Sequence, residues 1–173
     1  ATLTSCGTFD LFLRQSGLGF FDSPAFVQPR SQKYVLAHGQ PRQFGAVLDD
    51  HEKAALIAAR PDQPNWLRVD HGRGEIYRTT LFAKLVALAV IKFATLDPLG
   101  MGIEMEAGKP GWFDALNGLP GLFGSSLPET FELQRLINFL LEQSTDSIEL
   151  PIELSTLLNA VVAQLHTYYL STD

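Results

Sequence analysis

Asp114 stands two residues after Trp112 and three before Asn117, inside the stretch Gly100–Leu133, GMGIEMEAGKPGWFDALNGLPGLFGSSLPETFEL. Cleavage of a glycosidic bond asks for a carboxyl group able to give up a proton, beside an aromatic ring that can stack on a sugar. Trp112 supplies such a platform, and an apolar wall pushes a neighbouring carboxyl towards its protonated form. Glu104 and Glu106 lie two apart, so an extended backbone presents both on one side and Met105 on the other. Asn117 offers a donor and an acceptor to sugar hydroxyls. Lys109, in a Lys-Pro turn, completes the candidate substrate-binding set, and the glycines between Gly108 and Gly124 allow close approach of a ligand. The same residues also have a structural reading. Asp114 can cap a short helix, Ala115–Gly118, with Trp112 as a core anchor, and Glu104 and Glu106 can be solvated loop charges. Spacing alone leaves both open.

Other constellations carry less. His38, His51, His71 and His166 are scattered through unrelated contexts, so no metal site is expected. Asp70-His71 between Arg68 and Arg73 is a weak candidate for an anion such as phosphate, against the plainer reading of a solvated turn. Arg78, beside Thr79 and Thr80 at the start of a helical pattern, is a second. Gly72-Arg73-Gly74 lacks the length and the Lys-Ser/Thr ending of a phosphate-binding loop. Ser125-Ser126 lacks the frame of a nucleophile elbow. Cys6 is the sole cysteine, which excludes an internal disulfide and a cysteine-based zinc site; it is expected to be inert.

The elements that must position Asp114 follow from periodicity. Neither a helical nor a strand period persists through the first half of Gly100–Leu133, which therefore reads as a long loop. Met101, Ile103, Met105, Trp112 and Phe113 are too apolar for it to stay solvated, so it is expected to be buried or half-buried. Upstream, Ile76–Leu96 is apolar nearly all round and predicts a helix buried on most sides, ended by Asp97-Pro98. A helix from Asp49 or Asp50 to Arg60, with Glu52 in its first turn and Pro61 as its stop, precedes it. Pro61–Gly74 is a connection with Trp66 as its anchor. Downstream, Ser126 and Glu129 have capping-box spacing for a helix continuing through Leu141, and Pro151–Leu170 forms another with a wide apolar stripe. The opening residues, 1–43, read as loop-rich. Thr8–Leu13 alternates weakly there, and Lys33–Ala37 is a β-prone run.

One domain is expected for 173 residues, mainly α, with residues 1–43 loop-rich and 44–173 helical. A net charge of −6 and a pI near 5.1 argue against nucleic-acid or anionic-membrane partners. Lys84 and Lys92 interrupt the longest apolar run, Leu81–Leu96, which falls short of the roughly 20 residues that span a bilayer. No signal peptide is visible, and a cytoplasmic location is expected.

The residues Glu104–Leu136 resemble a segment of large bacterial proteins related to cellobiose phosphorylase, and Tyr77–Gly108 looks like the same group. The likeness covers roughly Phe44–Phe139. It implies a section of an (α/α)6 barrel, and an inverting phosphorolysis or hydrolysis of β-glucosidic bonds with an aspartate as general acid. Better-known members carry that aspartate in a string of the type Asp-Trp-Asn-Asp-Gly-Met-Asn. Its second aspartate matches Asp114, its tryptophan Trp112 and its last asparagine Asn117. Gly111 stands where the first aspartate would be, a departure that implies altered substrate use or lost activity if that carboxylate is needed. No cofactor is implied beyond inorganic phosphate as co-substrate of a phosphorylase. The partners implied are a β-glucan oligosaccharide and the remainder of a larger polypeptide, or a protein that covers the apolar helix faces. Twelve barrel helices need several hundred residues at ordinary lengths, so the chain is expected to be one section of a larger catalytic domain. A non-catalytic carbohydrate-binding or helical interaction module is the alternative.

Overall fold

A computed structural model describes residues 7–37, 39–43, 46–96, 102–104, 125–143 and 147–171. The chain divides into two compact units, each assembled from separate segments. One comprises Ala1–Gln15, Thr80–Ile103 and Leu127–Asp173; the other comprises Ser16–Thr79 and Glu104–Ser126. Among the described residues the structure is mainly helical, with short strands. None of their helices is long and apolar enough to cross a membrane.

The first unit is helical. It contains α1 (Gly7–Arg14), α4 (Leu81–Ala94), α5 (Leu127–Glu142) and α6 (Ile152–Ser171). Helix α4 packs against the other three, which is why its sequence is apolar on nearly every side. Phe82, Ala83, Ala87 and Ala89 are buried along it. Ala89 meets Ile103 and Leu133 at the centre of a cluster that Phe93, Leu96, Leu136, Ile137 and Leu140 surround. Not every side is covered, since Leu88 and Ile91 stay exposed.

Three helix boundaries follow the sequence closely, and one does not. Helix α5 begins directly after Ser126, and α6 occupies the expected span within a residue at each end. Helix α4 starts five residues later than the pattern from Ile76 predicts. Thr79 and Thr80 are extended, and the Thr80 hydroxyl accepts the Ala83 N–H at 3.1 Å, so the cap sits inside the apolar run. The weakly alternating Thr8–Leu13 is helical rather than loop or strand. Phe9 and Leu13 lie four apart and share a face. Leu13 is buried, and Phe9 meets the Phe139 ring edge-on with centroids 6.2 Å apart. Tertiary packing, not local propensity, makes so short a helix stable.

The second unit is built from short pieces. Strands β2 (Ala25–Val27) and β5 (Val47–Asp49) pair antiparallel, with Phe26 opposite Leu48 and Val27 opposite Val47. Strands β3 (Tyr34–Ala37) and β4 (Gln40–Gln43) form a hairpin in the β-prone run foreseen from the sequence. Gly39, in the turn between them, takes φ +76°, where an L side chain would be strained. The four-residue helix α2 (Arg30–Lys33) runs straight into β3. The loop-rich reading of residues 1–43 is thus too lean: the described residues among them hold two helices and several short strands. Helix α3 (His51–Ala58) has Asp50 as its N-cap, the side chain accepting the Lys53 N–H at 3.0 Å, as foreseen.

The first unit leads to a stability prediction. Leu133→Ala empties the centre of the helical cluster and should lower unfolding free energy by about 2–5 kcal/mol. Leu141→Ala on the exposed side of the same helix should stay within about 0.5 kcal/mol. Urea unfolding of the two variants measures the difference.

Candidate functional site

Glu104 lies inside the described residues, and Asp114, Trp112, Glu106, Asn117 and Lys109 lie outside them. Cys6 and His38 also lie outside.

Glu104 is buried, its side chain 2% exposed. Lys33 Nζ forms an ion pair with its Oε2, and the Tyr34 hydroxyl donates to Oε1 at 2.7 Å. Lys33 and Tyr34 are adjacent, at the join of α2 and β3, so one short turn supplies both donors. Lys33 is itself buried, which such a pairing makes tolerable. Nothing in the sequence announces this trio, because some seventy positions separate the carboxylate from its donors. The reading of Glu104 as a freely solvated loop charge does not describe it.

A second buried carboxylate, Asp22, escaped notice in the sequence. Its side chain is 2% exposed and meets two cations: Arg60 Nη2 reaches Oδ2 at 2.9 Å, and Lys53 Nζ stands 2.8 Å from Oδ1. Arg60 follows α3 and does more than pair. Its Nη1 donates to the Pro64 carbonyl at 2.6 Å and to the Trp66 carbonyl at 3.3 Å, and Nη2 also reaches the Gly72 carbonyl at 2.9 Å. Burial by itself would raise the Asp22 pKa; the hydrogen bonds and charges of Lys53 and Arg60 outweigh it and hold the pKa below its ordinary value. The charges of this cluster are met within the protein, which gives it the character of a structural knot.

Arg68 and Arg78, one cation from each of the two weak anion candidates, are engaged by the protein itself. Arg68 donates to the carbonyls of Gly74 at 3.2 Å and Asp62 at 3.0 Å. Asp70 and His71 take φ of 53° and 50°, followed by Gly72 at 90°, and form a left-handed turn. The N–H groups of Gly72 and Gly74 there both return to the Val69 carbonyl. Arg78 donates to the Gly17 carbonyl at 2.9 Å and lies over the Trp66 ring, 5.1 Å from its centroid. Trp66 therefore anchors its connection as expected, with a cation on its face. Gly19 approaches the ring so closely that a Cβ there would collide with it.

No family model, curated protein or solved structure matches the chain. Among the described residues no group of three or more His, Cys, Asp or Glu side chains could hold a metal ion.

The Asp22 cluster sets an acid-sensitivity prediction. The folded pKa lies below that of the unfolded chain, so the unfolded chain takes up its proton first as pH falls. The stabilisation is complete above the unfolded carboxylate pKa of about 3.9 and is lost as pH drops through the folded value. Asp22→Asn should cost about 3 kcal/mol at pH 6, because it leaves buried Arg60 without its counter-charge. It should also lose less further stability than wild type between pH 6 and pH 3. Urea titrations at the two pH values read both effects.

Proposed function

We propose that this chain is the active-site-bearing portion of a β-glucan-acting enzyme similar to cellobiose phosphorylase, within an (α/α)6 barrel-like array. The observation that carries the reading is the string Gly111-Trp-Phe-Asp-Ala-Leu-Asn117, which sets a carboxyl group two residues from an indole and three from an amide. Its place in the sequence lends support: it connects two long helices, α4 and α5, that pack on each other. The apolar residues left exposed on these helices, Leu88, Ile91, Leu127 and Phe131, are what a section of a larger helical array would show.

In this reading the Asp114 carboxyl protonates the glycosidic oxygen as its bond to the anomeric carbon breaks. A phosphate oxygen attacks that carbon from the opposite face, and the β-linked sugar leaves as an α-configured sugar phosphate. With water as nucleophile the product is the α-configured free sugar, and a second carboxylate must take the water proton. Trp112 stacks on the ring, while Glu106, Asn117 and Lys109 bind hydroxyls or phosphate. An acidic chain suits a neutral sugar, and phosphate needs a local cation such as Lys109 to approach it.

A second reading has its own observation. Gly111 replaces the first carboxylate of the family string, which favours a module that binds carbohydrate, or a protein, without cleaving anything. Asp114→Asn in the intact protein tests the first reading. A general acid is worth about 10²–10⁴-fold in rate, so kcat on β-linked glucose oligosaccharides should fall by that factor while sugar binding persists. Full turnover by the variant would remove Asp114 from the mechanism. Calorimetric binding of the oligosaccharide by wild type, with no bond cleavage in the presence or absence of phosphate, would favour the second reading.

A further inference from the structure

We propose that two copies of this chain associate through helix α6, antiparallel, about a two-fold axis that passes between Ala160 and Ala163. The association is independent of the sugar chemistry above. Helix α6 packs on α4, with Leu154 buried and Leu157, Leu158, Val161 and Leu165 half-buried. At about 100° per residue these five share one side of the helix. The opposite side carries Ile152, Thr156, Ala160, Ala163, Thr167 and Leu170, all exposed. A helix ordinarily turns charged residues to water. Glu153 is the sole Asp, Glu, Lys or Arg in the 20 residues of α6, and Ile152 and Leu170, at the two ends of the exposed side, are 74% and 79% exposed. The Thr156 and Thr167 hydroxyls donate to the Ile152 and Ala163 carbonyls at 2.8 Å and 3.0 Å, so both keep their bond when water is withdrawn.

Charge and symmetry together indicate what covers this side. A basic partner or an anionic surface would be held by charges that α6 does not offer. An uncharged surface fits it, and a second α6 is such a surface. The residues also match themselves. In a two-fold contact residue i meets j and j meets i, so in an antiparallel pair the two residue numbers have a constant sum. About the midpoint of α6, Thr156 then meets Thr167, Ala160 meets Ala163, and Ile152 meets Leu170 to within one residue. The two alanines let the axes approach to the near end of the usual range of about 8–10 Å, and the larger side chains close the ends of a contact about 27 Å long. Charge also selects the direction. A parallel pair would set the two copies of Glu153 side by side in a protein of net charge −6. The antiparallel pair parts them by about 25 Å, well beyond the screening length of about 8 Å at physiological salt.

Sedimentation equilibrium of the 173-residue chain, from micromolar to millimolar concentration, tests the proposal. Wild type should pass from monomer to dimer, and more readily at high salt, which screens the repulsion between two acidic copies. Ala163→Glu should weaken the association at least about tenfold by setting a carboxylate from each copy near the axis. The position is exposed and Glu is a good helix former, so thermal unfolding of the micromolar sample should match wild type. Two mixtures read the direction. Thr156→Glu with Thr167→Lys brings opposite charges level in the antiparallel pair, whereas Thr156→Glu with Thr156→Lys leaves them about 17 Å apart along the axis. The first mixture should associate at least about threefold more tightly than the second. Equal affinities, or the reverse order, overturn the antiparallel arrangement. Association that Ala163→Glu leaves unchanged places the contact elsewhere and overturns the proposal. A chain that stays monomeric at millimolar concentration overturns it too, and is the result expected if more of a longer polypeptide, or a different protein, covers α6.

Discussion

The Arg60 guanidinium is the constraint on which the strand-bearing unit depends. Residues 59–79 contain no helix and end in the two-residue strand Thr79–Thr80, so the hydrogen bonds that regular structure would provide must come from elsewhere. Arg60 provides several of them. From the end of α3 its planar fork reaches three carbonyls, of Pro64, Trp66 and Gly72, and the Asp22 carboxylate. A lysine has the charge but not the fork, and could not serve four acceptors in one plane. Around this knot the backbone of Phe20–Asp22 meets Asn65–Leu67, and Leu67 in turn meets Tyr77. The Phe20 and Tyr77 rings stack at 6.0 Å, and the Arg78–Trp66 contact lies beside them. Irregular chain is thereby given a fixed path by a charge buried among its own carbonyls.

The parts of the fold legible in the sequence are those decided locally. Asp50 and Pro61 bound α3 because a side-chain cap and a missing N–H act within a few residues. Helices α5 and α6 follow their apolar spacing for the same reason. Thr8–Leu13 misled because its eight-residue helix is stable only through Leu13 and Phe9, whose partners lie far along the chain. The start of α4 misled because Ile76 and Tyr77 extend the apolar pattern backwards, while Tyr77 and Arg78 are committed to Phe20, Trp66 and Gly17.

The candidate site rests on local signals in the sequence, and the one part of it that the structure describes, Glu104, shows how little of its surroundings such signals carry. The indole–carboxyl spacing of Trp112 and Asp114 is a local signal, and so is the resemblance it carries. Glu104 looked like one of a pair with Glu106. Its surroundings come from Lys33 and Tyr34, an adjacency that only the folded chain creates. Asp22 was missed for the same reason: between Phe21 and Ser23 it resembles any turn aspartate, and its cations arrive from α3 and the residue pair that follows it. Buried charge is set by distant partners, and a single sequence does not record them.

The way the two units are threaded has a consequence for synthesis. The chain passes from one to the other four times, at 15–16, 79–80, 103–104 and 126–127. Neither unit is therefore a continuous stretch that a nascent chain can complete and leave behind. A chain emerging from the ribosome as far as Thr79 has made the Arg60 knot but not the carboxylate that Lys33 requires. One emerging as far as Leu96 has made α4 but none of α5 or α6. For much of its translation this protein carries a buried-type lysine without its carboxylate and a nearly all-apolar helix that of its three helical neighbours has only α1. A holding chaperone would find its longest task in that interval.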